Sequence, residues 1–264
     1  MTSKSGFVTG LILLGLLVLG VGTETRLGGN TLTSVGSQTL KFRVPPKISF
    51  GKRALAIRKG EALFEDSSPI AGNRLSCASC HLDDGTDANV LPLVGVASAF
   101  PRMSQRYHAR LNLSQRINWC VMNSLAGKWL EPGNPELNDL TRYLDWISVG
   151  YPKNVPLPWL KRPVLVSDKR YFHSGRGEEL YRSDCAYCHG PKGQGSTHGF
   201  LAPPLWGPDS YTRHASLDRQ AMLAAFIQKA MPAVAMHGIR PGGLSVPDTQ
   251  SLAAFILRHN RPAG

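Results

Sequence analysis

Acidic residues are scarce in this chain. Its 18 Asp and Glu stand against 30 Lys and Arg, giving a formal charge of +12 and a pI near 9.8, which turns attention to anionic partners. Long apolar runs are also missing, since a full membrane span needs ~20 residues. The nearest approach, Phe7 to Gly22, is apolar or small except for Thr9 and is flanked by Lys4, Glu24 and Arg26. It reads as an export segment over 1–22, either a cleaved signal peptide or a retained anchor helix. No A-x-A cleavage site accompanies Gly20 and Gly22. The expected location is the periplasm, with the protein soluble after cleavage or anchored to the inner membrane. A hydrophobic content of 42% excludes disorder over most of the chain. The length suffices for two domains of about 100 residues each.

Cysteine is sparse too, with five in the whole chain, but four of them are paired. They form Cys77-Ala78-Ser79-Cys80-His81 and Cys185-Ala186-Tyr187-Cys188-His189, and Cys120 stands alone between them. Zinc ribbons also use paired C-x-x-C knuckles, but those lie ~15 to 20 residues apart, and Cys77 and Cys185 are far more widely separated. A thioredoxin-type C-x-x-C needs a βαβ setting that neither segment has. A C-x-x-C-H run, in contrast, attaches one haem through two thioethers and supplies the adjoining histidine to its iron. Two covalently bound haem c groups are therefore expected, on Cys77, Cys80 and His81 and on Cys185, Cys188 and His189. In an exported haem protein the basic charge does not point to nucleic acid. Small anions, an acidic redox partner or anionic lipid head groups suit it better.

Residues 23–47 lack clear periodicity and read as an N-terminal arm. Pro152, Pro156, Pro158 and Pro163 rule out a continuous helix, so 151–164 is expected to link a first domain over 48–150 to a second over 165–264. The two halves are related. Gly60-Glu61-Ala62-Leu63-Phe64 precedes the first motif and Gly177-Glu178-Glu179-Leu180-Tyr181 the second. Each puts a glycine and an aromatic residue on one helix face, where a crossing helix can approach closely. Each half closes on an apolar helical pattern, with Leu140, Tyr143, Leu144 and Ile147 in one and Leu252, Phe255 and Ile256 in the other. This arrangement resembles the small all-α cytochrome c domain, present twice in tandem behind the N-terminal apolar helix. The resemblance implies that Leu91 to Gly95 and Pro203 to Gly207 supply backbone carbonyls to Nδ1 of His81 and His189.

Each iron has a second axial position to fill. Met231, followed by Pro232, matches the methionine ligand of ordinary cytochrome c domains, with Met222, Met236, His237 and Lys229 as competitors. In the first half Cys120 occupies the corresponding slot, and Met103 and Met122 compete with it; Tyr107 or His108 could reach the haem edge. A lone thiol is most often a small buried hydrophobe, but the internal repeat directs this one toward iron. Leu113 to Ser124 contains no proline or glycine and is expected to be helical, so Arg116, Cys120 and Ser124 share a face. Arg102, Arg106 and Arg110 precede that helix in a basic stretch, and a guanidinium is well suited to hold oxyanions.

Taken together, the run Gln115 to Gly127, Pro204-Leu205-Trp206-Gly207, Met231-Pro232, Leu244-Ser245 and Arg261-Pro262 resemble the thiosulfate dehydrogenases, dihaem cytochromes that join two thiosulfates into tetrathionate. The resemblance implies a cysteine-ligated active-site haem, with Cys120, Arg106, Arg116 and Ser124 as site residues. Thiosulfate and tetrathionate would be the substrate pair, and a small cytochrome c or other periplasmic protein the electron acceptor. Asn123 and Ala126 depart from residues that members commonly have as Arg and Asn. The alternative reading is a dihaem electron-transfer cytochrome, or the haem subunit of a membrane-associated oxidoreductase complex, without sulfur catalysis.

Overall fold

The computed structural model describes residues 40–45, 48, 51–105, 107–162, 164–196 and 202–264. The expected export segment, most of the arm, Arg106 and Pro163 lie outside the described residues. No helix among the described residues is long and apolar enough to cross a membrane.

Two helix crossings build the scaffold. In the first half α1 (Lys52–Glu65) crosses α4 (Pro135–Trp146), with the short α2 (Ser68–Ala71) and α3 (Leu113–Asn123) between them in the chain. A Cβ on Gly60 would run into the Asp139 carbonyl and come within 2.8 Å of Tyr143 Cβ. Glycine is therefore what lets these backbones meet, and Phe64, one turn on, is fully buried beside Tyr143 with ring centroids 5.5 Å apart. The second half repeats the device. α5 (Ser174–Leu180) crosses α8 (Val246–Leu257), a Cβ on Gly177 would meet the Ser251 carbonyl and lie 2.7 Å from Phe255 Cβ, and Tyr181 is buried against Phe255. Each closing helix starts on a capped turn with proline in its first two positions. Asn134 accepts from Leu137 N–H at 2.8 Å and Ser245 from Asp248 N–H at 3.2 Å.

The halves diverge around their cysteine motifs. α5 runs through a π-helical turn, Tyr181–Cys185, into α6 (Ala186–His189), so the second motif closes a helix. The first motif is a non-helical turn in which His81 N–H donates to the Cys77 carbonyl at 3.0 Å. The basic stretch before α3 is also not helical. It pairs β1 (Arg102–Ser104) with β2 (Ala109–Leu111) in an antiparallel hairpin, a departure from a purely helical reading.

The two halves interlock instead of hanging from a tether. Leu40–Gly264 is one compact unit. Tyr211 and Ala215 of the second half sit in the apolar core of the first, with Ile117, Val121 and Leu125. Thr212 donates from N–H and Oγ1 to the Asn123 carbonyl at 3.1 and 2.9 Å, and Arg74 reaches the carbonyls of Ser196 and Gln194 at 2.7 and 2.8 Å. The proline-rich connection is itself packed: Trp159 Nε1 donates to the Val94 carbonyl at 2.7 Å and stacks edge-on with Phe42 of the arm.

Candidate functional site

The cysteines and histidines of the two C-x-x-C-H motifs line one cavity of about 570 Å³ together with Cys120 and Met231, within the range of cofactor pockets. Its wall is largely apolar and includes Phe100, Ile117, Leu223, Phe226 and Ile256.

The two histidines are oriented alike. His81 Nδ1–H donates to the Leu91 carbonyl at 2.6 Å, and His189 Nδ1–H to the Pro203 carbonyl at 2.9 Å. A backbone carbonyl only accepts, so the proton belongs on Nδ1 and the Nε2 lone pair is left for a metal. Burial, followed by the charges of Arg116 and Arg162, pushes the pKa of His81 down to about 4 against the pull of the Leu91 bond. Burial likewise lowers that of His189. Both imidazoles are thus neutral, the state a metal ligand requires. Burial pushes the thiols of Cys77, Cys80 and Cys185 up to about 12. None of the five cysteines is in a disulfide.

These features fit haem c. The thiols stand beside an oriented histidine on an apolar wall, and the Tyr211 hydroxyl is buried in that wall with no hydrogen-bond partner among the described residues. A haem carries propionates, acceptors that such an orphaned donor lacks within the protein.

On the first side, α3 is set by its N-terminus. Asn112 accepts from Gln115 N–H at 2.8 Å while Gln115 Oε1 accepts from Asn112 N–H at 2.9 Å, a reciprocal cap that stabilises the helix by ~1 kcal/mol. Leu113, Ile117 and Val121 then face the core, and Arg116, Cys120 and Ser124 line the cavity. Arg116 Nη1 donates to Cys120 Sγ at 2.6 Å while its Cζ lies 4.7 Å from the centroid of the Trp119 ring. A guanidinium donor makes this the charge-assisted bond that a thiolate accepts best. Met103, Met122 and Tyr107 are exposed and, like His108, do not line the cavity, so they do not share Cys120's position. Arg106 lies outside the described residues.

The second side is apolar. Met231 caps the end of α7 (Gln220–Ala230), whose residues Met222 to Ile227 are all buried. Met231, Met222, Met236 and Lys229 all line the cavity, whereas His237 is exposed and faces Asp184 Oδ1 at 3.3 Å. The sequence reading missed one residue here. Arg162, in the segment taken as a linker, lines the cavity with Arg102 and Arg116. Only its place beside Lys161 in a proline-rich stretch marked it.

Residues 59–152 match the family described as SoxA/TsdA, cytochrome c domain, and residues 175–256 match cytochrome c oxidase, cbb3-type, subunit III. The thiosulfate dehydrogenase of Allochromatium vinosum is 37% identical over 200 residues, covering 73% of this chain and 72% of that protein. That of Stutzerimonas stutzeri is 32% identical over 212 residues, covering 78% and 67%. Among solved structures, the thiosulfate dehydrogenase TsdBA of Marichromatium purpuratum in its as-isolated form superposes with a TM-score of 0.75 at 30% identity over 83% of this chain. This chain spans 50% of that longer one. A pair of oriented C-x-x-C-H motifs, an arginine-bonded thiol and these relatives agree, and the chain belongs to the thiosulfate dehydrogenase family of c-type cytochromes.

Proposed function

We propose that this chain is a periplasmic dihaem cytochrome that oxidises two thiosulfates to tetrathionate. The observation that carries this reading is the Arg116 to Cys120 bond of 2.6 Å inside the cavity that holds His81. Cys77, Cys80, His81 and Cys120 would hold one haem, and Cys185, Cys188, His189 and Met231 the other. Haem c supplies an iron that accepts one electron at a time, so two such groups in one chain match a reaction that releases two.

The protein's own residues address charge and nucleophilicity. Bringing two thiosulfate dianions to ~5 Å costs roughly 13 kcal/mol at an effective dielectric of about 20, and Arg116, with Arg106, offsets that repulsion. Arg116 holds the Cys120 sulfur in the cavity by its donated hydrogen bond, and a thiolate there is the nucleophile. Bond formation between Cys120 Sγ and the outer sulfur of a first thiosulfate gives a Cys–S–S–SO₃⁻ adduct and releases two electrons. The outer sulfur of a second thiosulfate then attacks the sulfur bearing the sulfonate. Tetrathionate leaves and the Cys120 thiolate returns, while Ser124, one turn on, offers a hydroxyl to the sulfonate oxygens. The electrons pass to a small cytochrome c or similar periplasmic acceptor, and the same site run backwards would reduce tetrathionate.

Thiosulfate-dependent reduction of ferricyanide by the holoprotein, wild type beside Cys120→Gly, tests the reading. Wild type is expected to turn over with two haems per chain, and Cys120→Gly to lose activity on the order of a thousandfold with its haem content intact. A fully loaded wild type that leaves thiosulfate untouched would instead identify an electron carrier.

A further inference from the structure

Arg162 is an odd residue for a linker to place in a cavity wall. Its Nη1 donates to Ser216 Oγ at 2.8 Å, which pins a guanidinium from the connection to a turn of the second half. Arg102 and Arg116 also line that cavity. Among the described residues none of the three forms an ion pair with a carboxylate, although other arginines there do. The three are close enough to feel one another. Burial and then the charge of Arg116 hold the pKa of Arg102 below the usual guanidinium range, and the same two causes act on Arg162, opposed by Cys120. Like charges converging on one cavity repel one another, and an anion entering it relieves that repulsion.

Arg116 is already committed to the Cys120 sulfur. The reaction proposed above nevertheless brings a second thiosulfate dianion up to the sulfonate of the Cys120 adduct. We propose, resting on that thiosulfate reading, that Arg162 and Arg102 hold the sulfonate of the second thiosulfate beside the Cys120–Arg116 pair. Ser216 is the positioning residue that aims Arg162, so the substrate site of the first half is completed by the second. Arg162 belongs to neither haem domain's own motif. It is the connection between them that supplies specificity for a doubly charged substrate.

The test uses oxidised holoprotein titrated with thiosulfate, followed through the change in haem absorption, alongside steady-state kinetics. Arg162→Gln is expected to weaken thiosulfate binding and raise KM by about tenfold or more, with kcat at saturation recovered to within about threefold. Arg162→Lys restores part of the affinity, and Ser216→Ala weakens it by a few-fold with the guanidinium still present. An unchanged Kd and KM in Arg162→Gln overturns the proposal. So does a variant that keeps thiosulfate affinity while losing haem or lowering the haem potential, because the guanidinium would then serve a haem propionate. A wild type that binds thiosulfate through Arg162 without oxidising it would sink the catalytic reading and leave the anion site standing. Turnover in wild type matched by Arg162→Gln would do the reverse.

Discussion

The two halves share a glycine-mediated helix crossing, an aromatic residue one turn on, a cysteine motif and a histidine bonded to a loop carbonyl. They differ in the helix that faces the histidine. In the first half α3 is amphipathic and turns Arg116, Cys120 and Ser124 inward. In the second α7 is buried nearly all round and ends at Met231. One helix face thus separates a polar, cationic compartment from an apolar one on the same scaffold. A thioether in an apolar setting suits a group that only exchanges electrons, whereas a thiol beside a guanidinium can also make and break bonds to sulfur.

The most severe way to break this contrast is to write the second half's chemistry into the first. Cys120→Met gives both compartments a thioether. It is expected to retain both attachment motifs in loaded form and to lose thiosulfate oxidation on the order of a thousandfold, measured by ferricyanide reduction and pyridine haemochrome content. Full activity in that variant would mean the thiol is not a nucleophile. A second experiment probes what the halves share. Gly60→Ala and Gly177→Ala each push a Cβ into a crossing helix, and each is expected to cost about 3 kcal/mol in denaturant unfolding of the holoprotein. A loss in one half alone would show that the two crossings are not equivalent. The smallest effect concerns a residue peculiar to the first half. Ala126 holds a φ of +52°, in the left-handed region where asparagine is tolerated better than alanine. Ala126→Asn should therefore raise stability by about 0.5 to 1 kcal/mol with kcat unchanged, and a neutral or destabilised variant would remove backbone strain as the meaning of that departure.

Local features of this chain were readable from its sequence. The C-x-x-C-H runs, the glycine four residues before Phe64 and Tyr181, and the helix from Leu113 all depend on neighbours a few residues away, and the loop carbonyls of Leu91 and Pro203 lie in the segments expected for them. Shared helix facing also brought Arg116 onto Cys120 as the i, i+4 spacing requires. Long-range packing was not legible. Nothing around Tyr211 announces that it belongs to the core of the other half, because its partners Ile117 and Val121 lie far away in the chain. Arg162 escaped for the same reason, since its partner Ser216 and its fellow cations are distant in sequence. The hairpin at Arg102–Ser104 and Ala109–Leu111 was hidden by its charge, which masks the short alternation of a three-residue strand.

The plug formed by Tyr211 and Ala215 has a consequence for how the protein matures. A chain made from its N-terminus presents the first cysteine motif long before residue 215 emerges. Until then the inner side of α3 around Ile117 and Val121 lacks two of its apolar partners, and the helix that positions Cys120 has no finished surface to rest on. The helix that carries Cys120 therefore completes its packing only against a segment that follows the whole of the first half in the chain. A fragment ending at the proline-rich connection would carry the first C-x-x-C-H motif but leave α3 without Tyr211 and Ala215 against it.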